Sequence, residues 1–164
     1  MWGMKHILLI LAVVMGQSVL AADKKPLTKE ESAKVIEAAI RKELEKPTGE
    51  LTKADLAKVT RLNLNDTKIT DAGLKELAKL QNLRDLDLTD TQITDAGLKE
   101  VAKLKQLIRL DLSFTKITDA GLKEVAKLQQ LNRLYLDNTK ITKAGVAELQ
   151  KALPKCEIES NPTK

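Results

Sequence analysis

Leu83-Arg84-Asp85-Leu86-Asp87-Leu88-Thr89-Asp90-Thr91-Gln92-Ile93-Thr94-Asp95-Ala96-Gly97-Leu98 carries a strand pattern and the start of a helix in one short stretch. From Asp85 to Leu88 polar and apolar residues alternate, the mark of a strand with one buried face. The stretch then recurs at a period of 24 residues. Leu62, Leu86, Leu110 and Leu134 align, as do Leu64, Leu88, Leu112 and Leu136. Thr67, Thr91, Thr115 and Thr139 follow, then Ile69, Ile93, Ile117 and Ile141, then Gly73, Gly97, Gly121 and Gly145. In the third copy, Arg109 to Ser113 reads as the strand. Asp119 to Leu128 reads as a helix with Leu122, Val125, Ala126 and Leu128 on one stripe. Thr118 suits its N-cap and Asp119 its first turn. Ile117 and Leu122 stand at the positions of a hydrophobic staple.

One strand and one helix per 24 residues bury little alone, so the units must stack into a right-handed solenoid with a continuous core. The pattern Leu-x-x-Leu-x-Leu-x-x-Thr-x-Ile, as in Leu83 to Ile93, resembles the leucine-rich-repeat family over roughly 60% of the chain. The Ile-Thr-Asp-x-Gly-Leu segment is similar to the cysteine-containing branch and to exported repeat proteins of bacteria. That resemblance implies an α/β solenoid shaped as a short horseshoe, with parallel strands on the concave face, helices on the convex face and a helical N-terminal cap. The family usually has Asn or Cys where Thr67, Thr91, Thr115 and Thr139 stand; a Thr hydroxyl can satisfy the same turn backbone, more weakly.

Outward from the repeats, the chain divides into a leader at 1–21, a linker and helical cap at 22–60, four repeats at 61–152, and a cap strand and tail at 153–164. Thr28-Lys29-Glu30-Glu31 is a capping box opening a helix with Ala33, Ile36, Ala39, Ile40 and Leu44 on its apolar stripe. A second short helix begins at Leu51-Thr52, with Asp55 at N3. The run from Ala39 to Leu56 resembles the cap of internalin-like proteins. Leu153-Pro154 ends the last helix, and Cys156-Glu157-Ile158 adds an edge strand. Ala22 to Leu27 and Ser160 to Lys164 are polar and read as mobile.

Lys5, the apolar run Ile7 to Leu20, and small Ala21 read as a secretory leader cut after Ala21. The run is too short to span a bilayer, which needs about 20 apolar residues. The expected location is secreted or periplasmic, with no membrane span after cleavage. Cutting there removes Trp2, His6 and Lys5, leaving 27 basic residues against 23 acids, a net charge of +4. So small and interleaved an excess argues against a nucleic-acid partner. The single Cys156 permits no internal disulfide and reads as a half-buried thiol, with pairing to another chain as the alternative.

Without His, the exported chain has no Ser-His-Asp triad and no His ligands for zinc, and it has no Gly-rich phosphate loop. The reading is no enzyme, no cofactor and no metal. The concave columns are Arg61, Asp85, Arg109, Arg133; then Asn63, Asp87, Asp111, Tyr135; then Asn65, Thr89, Ser113, Asp137. Arg61, Asp85 and Arg109 form an ion-pair ladder beside Asp87 and Asp111. On adjacent strands those two acids would stand near the spacing of a retaining glycosidase pair, so a hydrolase is one alternative. Arg and large amphipathic side chains dominate binding energy at interfaces. Phe114 and Tyr135 are the only aromatics left after cleavage, and neither holds a core Leu position. The recognition patch is therefore placed on Arg109, Asp111, Phe114, Arg133 and Tyr135, with Asp87 at its edge; the alternative folds Phe114 inward. The expected function is a monomeric scaffold binding a protein or extracellular polymer. A structural spacer of the cell envelope is the other alternative. The helices carry Asp71/Lys75, Asp95/Lys99 and Asp119/Lys123 as candidate i,i+4 pairs, with Glu76/Lys79, Glu100/Lys103 and Glu124/Lys127 beside them.

Overall fold

The structure, a computed structural model, describes residues 25–162. The leader expected at 1–21, with Trp2 and His6, lies outside them. Helices α1 (Lys29–Glu43) and α2 (Lys53–Leu56) precede strand β1 (Arg61–Asn63). A 3-10 helix (Gly73–Lys79), β2 (Asp85–Asp87), α3 (Leu98–Val101), β3 (Arg109–Asp111), α4 (Asp119–Val125), β4 (Arg133–Tyr135), α5 (Lys143–Ala152) and β5 (Glu157–Glu159) then alternate. The strands form one parallel sheet in chain order, with Leu62, Leu86, Leu110, Leu134 and Ile158 in register. This is the expected α/β leucine-rich-repeat solenoid. No helix among the described residues is long and apolar enough to cross a membrane.

The regular strands are shorter than the alternation suggested, yet pairing runs past them. Leu112 N–H donates to the Tyr135 carbonyl at 2.9 Å and Phe114 N–H to the Asp137 carbonyl at 2.8 Å. Inward leucines Leu86, Leu88, Leu110, Leu112, Leu134 and Leu136 are fully buried, each contributing about 1.5–3 kcal/mol of apolar transfer. The Thr hydroxyls at 67, 91, 115 and 139 donate to the carbonyls of Leu64, Leu88, Leu112 and Leu136 at 2.6–2.8 Å, closing the turn after each strand.

The joint between repeats is a carboxylate clamp. Thr94 donates its N–H and hydroxyl to Asp71 at 2.8 and 2.6 Å, Thr118 to Asp95 at 2.8 and 2.6 Å, and Thr142 to Asp119 at 2.9 and 2.7 Å. The next repeat's glycine makes room: a Cβ at Gly97, Gly121 or Gly145 would collide with the Oδ1 of Asp71, Asp95 or Asp119. This corrects the helix-face reading. Asp71, Asp95 and Asp119 face the following Thr and form no ion pair with Lys75, Lys99 or Lys123. Glu76–Lys79, Glu100–Lys103 and Glu124–Lys127 do pair, at 2.5, 2.6 and 2.7 Å. Thr118 still caps α4 through Ala120 N–H at 3.2 Å.

Both capping boxes form. Thr28 pairs reciprocally with Glu31, and Thr52 with Asp55. The Lys46 ammonium, 2.7 Å from Asp55, together with the Thr52 N–H, holds that carboxyl well below the usual carboxylate range. Buried Ser32 of α1 takes the place of a clamping Asp and packs on Gly73. Two tail residues expected to be loose are anchored. Leu27 N–H donates to the Lys68 carbonyl at 3.1 Å, and the Leu27 carbonyl accepts from the Thr70 hydroxyl at 3.3 Å. Asn161 Oδ1 accepts from Asn138 N–H at 2.6 Å. Cys156 is buried at 4% exposure, more deeply than expected, against the last repeat.

Candidate functional site

The parallel register sets every outward side chain of one strand beside its counterpart 24 residues away. Arg61, Asp85, Arg109, Arg133 and Glu157 form one column; Asn63, Asp87, Asp111, Tyr135 and Glu159 form the next. The ion-pair ladder is present. Asp85 lies 3.4 Å from both Arg61 and Arg109, and Arg109 reaches Asp111 at 3.8 Å. Arg133 turns the other way, to Glu157 at 3.3 Å.

Arg109 is the centre of the arrangement. Its guanidinium carbon stands 4.9 Å from the Tyr135 ring centroid, so one planar cation is held by two carboxylates and an aromatic face. Such a contact contributes about 0.5–1 kcal/mol when exposed, and it fixes both side chains before any ligand arrives. Arg109, Asp111 and Tyr135 thus form one cluster, with Asp87 in register beside Asp111 and Arg133 beside Arg109. That these residues are neighbours was legible from the columns; the stacking of Arg109 on Tyr135 was not.

Asp87 and Asp111 are register neighbours, and each has a backbone task. Asp87 accepts the Thr89 N–H and Asp111 the Ser113 N–H, both at 3.0 Å. Asn63 does the same for Asn65 at 2.9 Å. The acids thus continue a turn device that serves equally well with a neutral amide. Among the described residues, no group of three His, Cys, Asp or Glu side chains gathers as a metal site would require.

Phe114 stands at the edge of this face and points outward, 55% exposed, so the inward alternative is excluded. Its φ is 59°, in the left-handed region; Asp66, Asp90 and Asn138 hold the same position in the other repeats at 52–54°. Asp and Asn tolerate that conformation and a bulky aromatic does not. Ile108, 42% exposed before β3, is a second outward apolar residue that the columns did not flag. Two hollows among the described residues lie away from the sheet face, one between α4 and α5 and one between α1, α2 and the first repeat.

Two family profiles match the chain in phase with these strands: leucine-rich repeats in two copies over residues 58–100, and a single leucine-rich repeat over residues 105–126. The chain is a leucine-rich-repeat protein. No curated protein matches its sequence. Among solved structures, an internalin of Listeria monocytogenes is similar at 25% identity and a TM-score of 0.60, over 76% of this chain and 35% of that one. A leucine-rich-repeat protein of Leptospira interrogans is similar at 31% identity and a TM-score of 0.52, over 68% of this chain and 28% of that one. TLR13, solved in complex with a single-stranded RNA, shares the fold at 24% identity and a TM-score of 0.52, over 67% of this chain and 16% of that one. This leucine-rich-repeat protein spans about a third or less of the length of each of these three neighbours.

Proposed function

We propose that this leucine-rich-repeat protein is a non-catalytic recognition scaffold, exported from the cytoplasm, whose outward sheet face binds a protein or an extracellular polymer. The observation that carries this reading is the Arg109 cluster: a half-buried arginine fixed between Asp85, Asp111 and the Tyr135 ring on the sheet. Arg and Tyr are the residue types that supply most binding energy at interfaces, and pre-ordering them lowers the cost of association. The sheet face carries Arg61, Arg109 and Arg133 against Asp85, Asp87, Asp111, Asp137, Glu157 and Glu159. That acidic balance, in a chain of net charge +5, disfavours nucleic acid on this face, although one structural neighbour is solved with RNA. The paired acids Asp87 and Asp111 are engaged by the backbone, which weighs against the hydrolase alternative.

The experiment is an affinity capture from the exported fraction with the immobilised chain, followed by titration of the captured partner. Tyr135→Ala and Arg109→Ala should each weaken binding by about tenfold or more with little change in melting temperature. Lys99→Ala on the helical side should leave it unchanged. Weakening by the helical variant alone would overturn the reading. Intact mass of the secreted protein should place its first residue at Ala22; retention of residues 1–21 would overturn the export of a soluble chain.

A further inference from the structure

We propose that the hollow between α4 and α5 receives Phe114 from a second copy of this chain, so that molecules join head to face in an open series. The hollow measures about 420 Å³ and is lined by Leu122, Ala126, Ala144, Leu149 and Ala152, with Glu148 among the residues around it. The space beside Gly97 is filled by Leu74 and that beside Gly121 by Leu98, each with a methyl under 3 Å from where a Cβ would stand. At Gly145 the three nearest atoms all belong to Asp119, so no leucine methyl comes within 3 Å there.

Phe114 carries two costs that the fold does not require: an exposed aromatic ring, and a left-handed backbone that Asp or Asn holds in every other repeat. A ring so placed is suited to insertion into an apolar recess. Each feature is flanked by exposed charges of both signs, so opposite charges can meet across the contact. Exposed Lys116 follows Phe114, and exposed Asp90 stands in the same column one repeat earlier; Glu148 and Lys123 are exposed at the hollow. Phe114 lies at the edge of the sheet face and the hollow on the helical side. The contact is therefore between unlike patches, which leaves one of each free on every pair and lets the series grow. The expected monomer then holds only in dilute solution.

The inference stands apart from the recognition reading, and Arg109→Ala and Tyr135→Ala should leave the association unchanged. Sedimentation velocity on the purified chain tests it, over the range up to about 1 mM that a small contact demands. The wild-type coefficient should rise with concentration. Phe114→Asn, which keeps the backbone with the residue found at 138, should stay monomeric. Ala144→Trp, or Ala152→Trp should the first fail to fold by circular dichroism, plugs the hollow and should also stay monomeric. A 1:1 mixture of the Asn and Trp variants should form heterodimers and nothing larger, because one supplies only the hollow and the other only the ring. A wild type that stays monomeric throughout would overturn the proposal, as would a Phe114→Asn variant that associates like the wild type or a mixture that fails to pair.

Discussion

At the scale of single residues, side chains repeated every 24 positions served both short-range and long-range tasks, and only the short-range ones were legible. The Thr hydroxyls bond a carbonyl three residues back, within the window that local patterns describe. The clamping carboxylates reach a Thr 23 residues on, and an Asp beside a helix start reads as a dipole partner until the stacking is known. Phe114 was legible as an oddity of its column, while its backbone strain required the structure. Phe114→Asn should raise stability by about 1–2 kcal/mol, the cost of a left-handed non-glycine residue, read as a higher midpoint in urea. An unchanged or lower midpoint would mean the ring contributes packing that its exposure conceals. Burial, helped by the Glu157 charge, pushes the Cys156 thiol up from 9.0 to about 11. The folded value lies above the unfolded one, so the thiol's contribution to stability is complete below pH 9 and is lost as pH rises towards 11. The thiolate is the reactive form, so an aromatic disulfide reagent at pH 8 should label Cys156 only in step with unfolding by urea. Rapid labelling of the native chain would refute this burial.

At the scale of elements, the strand positions came through and the helices were overstated. An α-helix with its side chains is about 10 Å across, whereas neighbouring strands lie about 4.8 Å apart. Internal repeats that must keep step with the strands therefore contract to a 3-10 helix, a single turn and a seven-residue helix. The end elements, with a neighbour on one side only, extend to 15 residues in α1 and 10 in α5. No periodicity within one repeat could reveal that constraint, because it belongs to the stack. The clamp is what keeps the joints close, and it makes glycine obligatory by space. Gly121→Ala should destabilise by about 1–3 kcal/mol through collision with Asp95 and Leu98. Asp95→Ala should destabilise as well, by leaving the Thr118 donors without an acceptor. The double variant relieves the collision and should cost less than the two single costs combined. Strict additivity in denaturant melts would show that the two residues do not share one joint.

At the scale of the whole molecule, the fold class was open to reading because four copies in phase leave one economical way to bury the leucines, whereas the character of the sheet face depends on outward residues that packing leaves free. The clamp also has a direction: each repeat holds its successor, and Lys143 stands where the next clamping Asp would be. Ser32 closes the other end against Gly73. The interior joints are thus interchangeable and the two ends are not. In hereditary terms, slippage between copies of this DNA can lengthen or shorten the protein in steps of one unit without retuning any clamp, while a unit added after Lys143 meets no acceptor. A chain in which residues 71–94 are duplicated should fold with a melting temperature no lower than the parent's, since each new Thr94 still finds an Asp71. A marked fall would show that the joints are individually tailored. A scaffold built this way can change its span as readily as its surface, and the two can be selected independently.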